Sequence, residues 1–174
     1  MKRLIKRLIL ICVPFMAACS SSKKVVVDLC PNILADDSML ESSYFVSGKP
    51  AALENEKYRV KINEALLDCV ENDGRLTARI EPEFLVAKGM AYDGEISFSY
   101  YIAAADNDKK IIAKKIYEYK SKNTMEKGFS LLSDNNGVTI DVMAKDKEKY
   151  TFYIGLQMNE QQLEYNRSKK SWLN

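Results

Sequence analysis

The sequence predicts an all-β protein, an antiparallel β-sandwich of about seven strands. Two observations support this: apolar and polar residues alternate along several segments, and turn signals separate these segments while helical periodicity is nearly absent. The 174 residues, 47% of them hydrophobic, are enough for one domain with a buried core. The strand count favours an immunoglobulin or fibronectin-like arrangement, although the Cys…Trp…Cys pattern of true immunoglobulin domains is absent. A small barrel is the alternative.

The clearest predicted hairpin joins residues 58–69 to residues 76–87. Apolar and polar side chains alternate along both segments, as they do in strands with one buried face. Asp73-Gly74 lies between them and is a strong signal for a hairpin turn. Pro82 interrupts the return strand and has no backbone N–H to donate, so we expect an edge or a bulge there.

A second antiparallel pair is predicted from residues 96–102 and 111–119. The first segment places its large apolar side chains on one face, whereas the second carries isoleucine on both faces, so its inward face is ambiguous. Tyr100 and Tyr101 must point to opposite faces of a regular strand, so we expect one of them to be exposed. We take Tyr101 as a candidate binding residue.

Two further strand pairings are predicted towards the C-terminus. Residues 129–132 and 138–143 form a predicted hairpin around the turn at residues 134–137, and residues 150–158 form the last strand. With these segments the count reaches about seven strands, which is typical of a sandwich.

The C-terminal segment predicts a short helix and a tail. Residues 159–167 are assigned to the helix because Asn159 is a capping residue and Gln162 follows three positions later. Trp172 lies in the polar tail, where we expect it to fold back onto the domain. The alternative makes Trp172 an anchor for a partner, and it is the second candidate binding residue.

The N-terminus predicts an export signal. Residues 1–7 carry four basic side chains, an uncharged apolar run continues to Met16, and the small residues Ala17 and Ala18 follow. This is the order of a secretory signal peptide. The apolar run is about a dozen residues long, whereas a membrane-spanning helix needs roughly 20. That short run and Pro14 argue against the alternative of a permanent signal anchor.

The sequence Met16-Ala17-Ala18-Cys19 resembles the lipobox of bacterial lipoproteins, in which an apolar residue and two small ones precede an invariant cysteine. The resemblance implies removal of the signal peptide, transfer of diacylglycerol to the Cys19 thiol and acylation of its new amino group. Leucine is the usual residue at the place of Met16. The family's sorting rule reads aspartate after the cysteine as inner-membrane retention. Ser20 therefore implies an outer-membrane protein that faces the periplasm.

A second resemblance covers most of the mature chain. Residues 30–36 read Cys-Pro-Asn-Ile-Leu-Ala-Asp, and a further cysteine, Cys69, follows roughly 40 positions later. This pattern, together with residues 100–106, is similar to small uncharacterised envelope lipoproteins of bacteria. That resemblance implies no particular activity.

Cys30 and Cys69 are the cysteines that remain besides Cys19, because Cys12 leaves with the signal peptide. In an oxidising compartment such a pair forms a disulfide by default. Closing a loop of roughly 40 residues contributes about 3 to 4 kcal/mol in the chain-entropy model. The alternative is a redox role, which the missing Cys-x-x-Cys spacing disfavours.

These assignments divide the chain into four parts. Residues 1–18 are the signal peptide, and residues 19–29 are the lipidated cysteine with a flexible, serine-rich tether. Residues 30–158 form the β-sandwich domain, and residues 159–174 form the C-terminal helix and tail.

Composition excludes several classes of function. Without the signal peptide the chain has 26 − 4 = 22 basic and 24 acidic residues, a net charge of −2, which argues against a nucleic-acid binder. There is no histidine, so the commonest general base and metal ligand is missing. Asp36-Asp37 is typical of a turn, and no nucleophile elbow, phosphate loop or calcium loop is present. We predict no catalytic residue, metal or cofactor.

The sequence therefore predicts a lipid-anchored envelope protein that binds or scaffolds and is not an enzyme. Its expected partners are the membrane, through the lipid on Cys19, and another envelope protein. The alternative is a periplasmic binder of small molecules or glycans that uses exposed tyrosines. A hydrolase is the third hypothesis, disfavoured by the absence of histidine and of catalytic motifs.

Overall fold

The structure is a computed structural model that describes residues 25–26, 30–143 and 150–171, the first two by their backbone alone. Within these ranges ten strands form two packed sheets, and one α-helix follows the last strand. The prediction of an all-β sandwich is confirmed. The elements are β1 (Val25–Val26), β2 (Ile33–Ala35), β3 (Glu41–Phe45), β4 (Glu56–Asn72), β5 (Arg75–Lys88), β6 (Glu95–Ala105), β7 (Ile111–Lys122), β8 (Phe129–Ser133), β9 (Val138–Met143), β10 (Thr151–Gln157) and α1 (Glu160–Ser171).

The first sheet is built around the β4–β5 hairpin. β3 pairs with the beginning of β4 and β1 with its end, whereas β9 and β8 pair with the first and second halves of β5. The second sheet has the order β2-β10-β6-β7, in which β2 runs parallel to β10 and the other neighbours are antiparallel. The hairpin strands β4 and β5 are neighbours in one sheet.

The core lies between the two sheets and follows the predicted alternation. The inward side chains of β6 are almost completely buried, from Ile96 at 1% exposure to Ile102 at 0%. The Phe84 ring of the first sheet meets the Phe98 and Tyr100 rings of the second at centroid distances of 4.8 and 5.1 Å. Burying each large apolar side chain stabilises the fold by roughly 1.5–3 kcal/mol. The two sheets are therefore held face to face by one continuous aromatic and aliphatic layer.

The β4–β5 turn marks one end of the sandwich. Asp73 and Gly74 have φ angles of 49° and 73°, which suit the type I′ turn of a two-residue hairpin. The turn prediction is confirmed. Cys30 lies beside Cys69 near this turn, so the described domain begins at the same end. We call it the proximal end, and the opposite end, with the β5–β6 connection, the distal end.

Pro82 lies where the neighbour of β5 changes. β9 pairs with β5 before the proline and β8 pairs after it, both in the same orientation, so they are consecutive pieces of one edge. The predicted hairpin between them is therefore wrong. Because proline offers no N–H to a partner strand, residues 134–137 loop out beside it, and the Asp134 N–H donates to the Pro82 carbonyl at 3.1 Å. The expected bulge is found on the other neighbour, between Ile62 and Glu64 of β4.

The helix begins as predicted and ends later. Asn159 Oδ1 accepts the N–H of Gln162 at 2.9 Å, and Gln162 Oε1 accepts the N–H of Asn159 at 2.8 Å, a complete capping box. The helix continues to Ser171, so Lys169 and Lys170 belong to it and not to a tail.

α1 covers the open edge of β3. The side-chain amides of Gln162 and Asn166 donate to the backbone carbonyls of Ser43 and Glu41, at 3.2 and 2.6 Å. These are edge carbonyls that would otherwise be open to pairing with another chain. The helix therefore closes one edge of the first sheet.

Candidate functional site

The residues that the sequence singled out lie in separate places. Cys19 and Trp172 lie outside the described residues. Cys30 and Cys69 lie together at the proximal end with their Cα atoms 5.5 Å apart, a separation compatible with a disulfide. Tyr101 lies on the outer face of the second sheet.

Tyr101 is buried at 9% exposure although it faces away from the core. Its ring lies against Gly155, where a Cβ atom would come within 2.6 Å of the tyrosine hydroxyl oxygen. Lys114 Nζ lies 4.1 Å from the ring centroid, and the hydroxyl donates to Asp36 Oδ2 at 3.0 Å. Burial and the Asp36 carboxylate raise the pKa of Tyr101. Since Tyr100 is also buried, the expectation that one of the two is exposed is wrong.

Two further carboxylate contacts have structural roles. Asp36 Oδ1 accepts the N–H and the hydroxyl of Ser38 at 3.0 and 2.6 Å, which agrees with the predicted turn. Asp134 accepts the Tyr100 hydroxyl at 2.9 Å and so ties the loop beside Pro82 to the core. Burial, with this carboxylate, raises the pKa of Tyr100. Among the described residues, no cluster of acidic or cysteine side chains is large enough to hold a metal ion.

A groove of about 430 Å³ lies at the distal end of the first sheet. It is formed where β4 begins and β5 ends, with the connection that precedes β8 as its far wall. We call it the distal groove. Its lining residues are Leu53, Glu56, Arg59, Ala87, Lys88, Gly89, Met90 and Gly128.

Gly89 shapes the distal groove by a close backbone approach. A Cβ atom at this position would lie 2.1 Å from the backbone oxygen of Glu56, so no other residue fits without moving the chain. The Gly89 N–H donates to the Lys57 carbonyl and the Ala91 N–H to the Glu56 carbonyl, both at 2.9 Å. The end of β5 is thereby held tightly against the beginning of β4.

The floor of the distal groove is an ion pair between a buried glutamate and a partly exposed arginine. Glu56 is only 3% exposed; its Oε1 accepts from the Ser43 hydroxyl at 2.8 Å and from Arg59 Nε at 3.1 Å. Glu56 Oε2 accepts from Arg59 Nη2 at 3.2 Å, and the same arginine lies 3.4 Å from Glu41. This two-point contact between guanidinium and carboxylate offsets the desolvation of the buried charge.

The rim of the distal groove is apolar and open to solvent. Leu53 and Met90 are 56% and 73% exposed, and Phe129 and Leu131 of β8 are each 54% exposed on the same face of the sheet. Sequence reasoning assigned β8 to a strand but missed this surface. Leu131 and Leu132 are both apolar, so alternation alone does not show which side of the strand faces outwards.

Similarity to known proteins does not identify the function of the distal groove. Among the described residues, no helix has the length and apolar character needed to cross a bilayer. Comparisons with protein-family models, curated proteins and solved structures found no significant match. The function is therefore argued from the sequence and from the geometry described above.

Proposed function

We propose that this chain is a lipid-anchored cell-envelope protein that acts as a non-catalytic binding or scaffolding module. In this proposal Cys19 carries the lipid, the protein faces the periplasm from the outer membrane, and the distal groove contacts a partner protein. The observation that carries the proposal is the group of exposed apolar side chains at the distal groove and on the adjoining outer face of β8. Clusters of this kind mark interaction sites on otherwise soluble domains.

The groove chemistry favours an apolar segment of another envelope protein as the partner. Glu56 and Arg59 already satisfy one another, so the floor leaves few polar groups for a glycan. The exposed rim offers leucine, methionine and phenylalanine, which contribute to binding by leaving water. A volume of about 430 Å³ is also within the range of small-molecule sites. A small apolar ligand is therefore the second candidate.

A non-catalytic role is supported by how three acidic groups, one buried and two partly buried, are used. Glu56 joins β3 to β4, Asp36 joins the segment after β2 to Tyr101, and Asp134 joins a loop to Tyr100. Each of these carboxylates contacts a group that it positions. A general acid or base would instead face open space beside a nucleophile.

Crosslinking in intact cells tests the proposed partner surface. Leu131→Lys in the full-length protein places a charge on the apolar surface of β8 beside the groove. Leu66→Lys is the matched control because Leu66 is 58% exposed on the same face of the first sheet. We expect Leu131→Lys to lower the recovery of crosslinked partner about tenfold, because a charge replaces an apolar side chain of the proposed contact surface. Equal recovery from both variants would contradict the proposal, whereas a loss confined to small-molecule binding would favour the second candidate.

A further inference from the structure

The β6–β7 hairpin exposes a second apolar cluster, at the proximal end. Ile111, Ile112 and Ile116 are 56%, 44% and 57% exposed, whereas Ala113 and Tyr117 of the same strand pack against the core. The structure thus resolves the ambiguous face of β7: isoleucines point to solvent and tyrosines point inwards. Exposed apolar side chains in a group indicate a contact surface.

The same hairpin is basic within an acidic mature chain. Residues 106–116 contain four lysines and two aspartates, a local charge of 4 − 2 = +2. Asp106 serves the turn, because its Oδ1 accepts the N–H groups of Asp108 and Lys110 at 3.0 and 2.9 Å. The lysines are Lys109 and Lys110 in the turn, Lys114, whose Nζ lies over the Tyr101 ring, and Lys115, whose Nζ donates to the Thr139 carbonyl at 2.9 Å.

The hairpin lies at the end of the domain where the N-terminal segment joins. β1 pairs with the last residues of β4, so Val25 lies opposite Glu71 at the proximal end. Ala105, at the end of β6, pairs with the first residue of β10, close to where β2 begins. Val25 lies six positions after Cys19, a distance that spans at most about 20 Å at roughly 3.3 Å per residue. A lipid on Cys19 would therefore hold this end of the domain near the bilayer.

We propose that residues 106–116 form a second membrane contact, in which the isoleucines enter the headgroup region of an anionic bilayer. Lysines beside apolar side chains fit such a surface, because anionic lipids attract the charge while the apolar groups leave water. The proposal rests on the proposed lipid anchor only where it uses the distance of about 20 Å between Cys19 and Val25. A second copy of this chain is the competing occupant, and charge disfavours it because lysines would face lysines.

Fluorescence quenching by brominated lipid tests this contact on the mature protein purified from membranes. Ile112→Trp is introduced together with Trp172→Phe, so that one tryptophan reports on the hairpin. Leu131→Trp in the same background is the matched control, since it lies on the opposite sheet at the distal end. Vesicles contain brominated phosphatidylcholine with or without phosphatidylglycerol. A thermal melt of each variant checks that the sandwich is intact.

We expect stronger quenching of Ile112→Trp than of Leu131→Trp, and only with phosphatidylglycerol present. Lys109→Asn with Lys110→Gln should lower the equilibrium constant for contact between the hairpin and the bilayer about 25-fold, about fivefold for each lysine removed, and so weaken the quenching of Ile112→Trp. Lys120→Gln with Lys122→Gln, at the distal end of β7, should have little effect.

Equal quenching of the two tryptophans would overturn the proposal. So would a tryptophan at position 112 that is shielded without vesicles as protein concentration rises, because that result indicates a second copy. If the protein carries no lipid but its hairpin still meets anionic vesicles, the anchor fails and this membrane contact is supported.

Discussion

The two exposed apolar surfaces of this domain differ in position and in charge. The rim of the distal groove lies on the first sheet, with the Glu56–Arg59 ion pair beneath it. The isoleucines of the β6–β7 hairpin lie on the second sheet at the proximal end, among lysines. The first surface carries one cation, Lys88, besides the Glu56–Arg59 pair and lies far from the proposed N-terminal anchor. The second carries four lysines against two aspartates and lies beside that anchor. We therefore propose different partners for these similar side chains, because their charge and their distance from the proposed anchor differ.

The largest expected effect on stability concerns the cysteine pair at the proximal end. Replacing Cys30 and Cys69 together by serine should lower the free energy of unfolding by about 3 to 4 kcal/mol, because a closed loop limits the unfolded chain. Urea denaturation measures the loss. Reduction of the unaltered protein should reproduce it, and a denaturation midpoint that does not respond to reductant would show that the two cysteines are not bonded.

The next effect concerns the distal end. Glu56→Ala should cost about 2 kcal/mol, because the Ser43 hydroxyl and the Arg59 guanidinium lose their shared acceptor. Glu54→Ala, two positions away on an exposed turn, is the matched control and should change stability by less than about 0.5 kcal/mol. Thermal denaturation compares the two variants, and equal melting temperatures would mean that the ion pair does not hold the groove together.

Alkaline pH should weaken the sandwich through its buried tyrosines. Burial raises the pKa of Tyr101 in the folded protein, so above pH 10 the unfolded chain releases a proton that the folded chain retains. The contribution of Tyr101 to the free energy of unfolding is therefore complete below about pH 10. Above pH 10 the free energy of unfolding falls by about 1.4 kcal/mol per pH unit for such a group. Tyr101→Phe should make this decline shallower while leaving its slope near neutral pH unchanged. Identical slopes above pH 10 would contradict the assignment.

The smallest effects on stability are expected at the two surfaces themselves. Leu131→Lys and Ile112→Lys should each change the free energy of unfolding by less than about 0.5 kcal/mol, because both side chains are largely exposed. Their functional effects should separate: Leu131→Lys should reduce only the recovery of the partner, and Ile112→Lys should reduce only the binding to vesicles. Crosslinking and vesicle binding are measured on both variants. A substitution that reduced partner recovery and vesicle binding together would contradict the separation of the two surfaces.

Most of the fold could be predicted because its signals are local. Alternation over residues 58–69 and 96–102, the Asp73-Gly74 turn and the Asn159 cap all act on near neighbours in the chain, and all appear in the structure. The interruption at Pro82 could be predicted as well. The proline also divides the neighbouring edge of the sheet into β8 and β9. That division depends on a segment far away in the sequence and could not be derived from alternation.

The candidate site was less predictable because it depends on contacts between distant segments. Tyr101 is buried by the absence of a side chain at Gly155, a residue on another strand. Glu56 is buried because β3 brings Ser43 beside it and α1 covers that edge. Neither residue carries a local pattern that distinguishes it from an exposed strand or turn residue. The pairing of Cys30 with Cys69 was predicted from the expected export of the chain and from the cysteine count, without any local pattern.

Intact-mass spectrometry of the protein extracted from membranes tests the central claim most directly. The proposal predicts a chain that begins at Cys19, carries the mass of diacylglycerol and an acyl group, and gains two hydrogens on reduction. A chain that still begins at Met1, or one that begins after residue 18 without added lipid, would contradict the proposal of a lipid-anchored module.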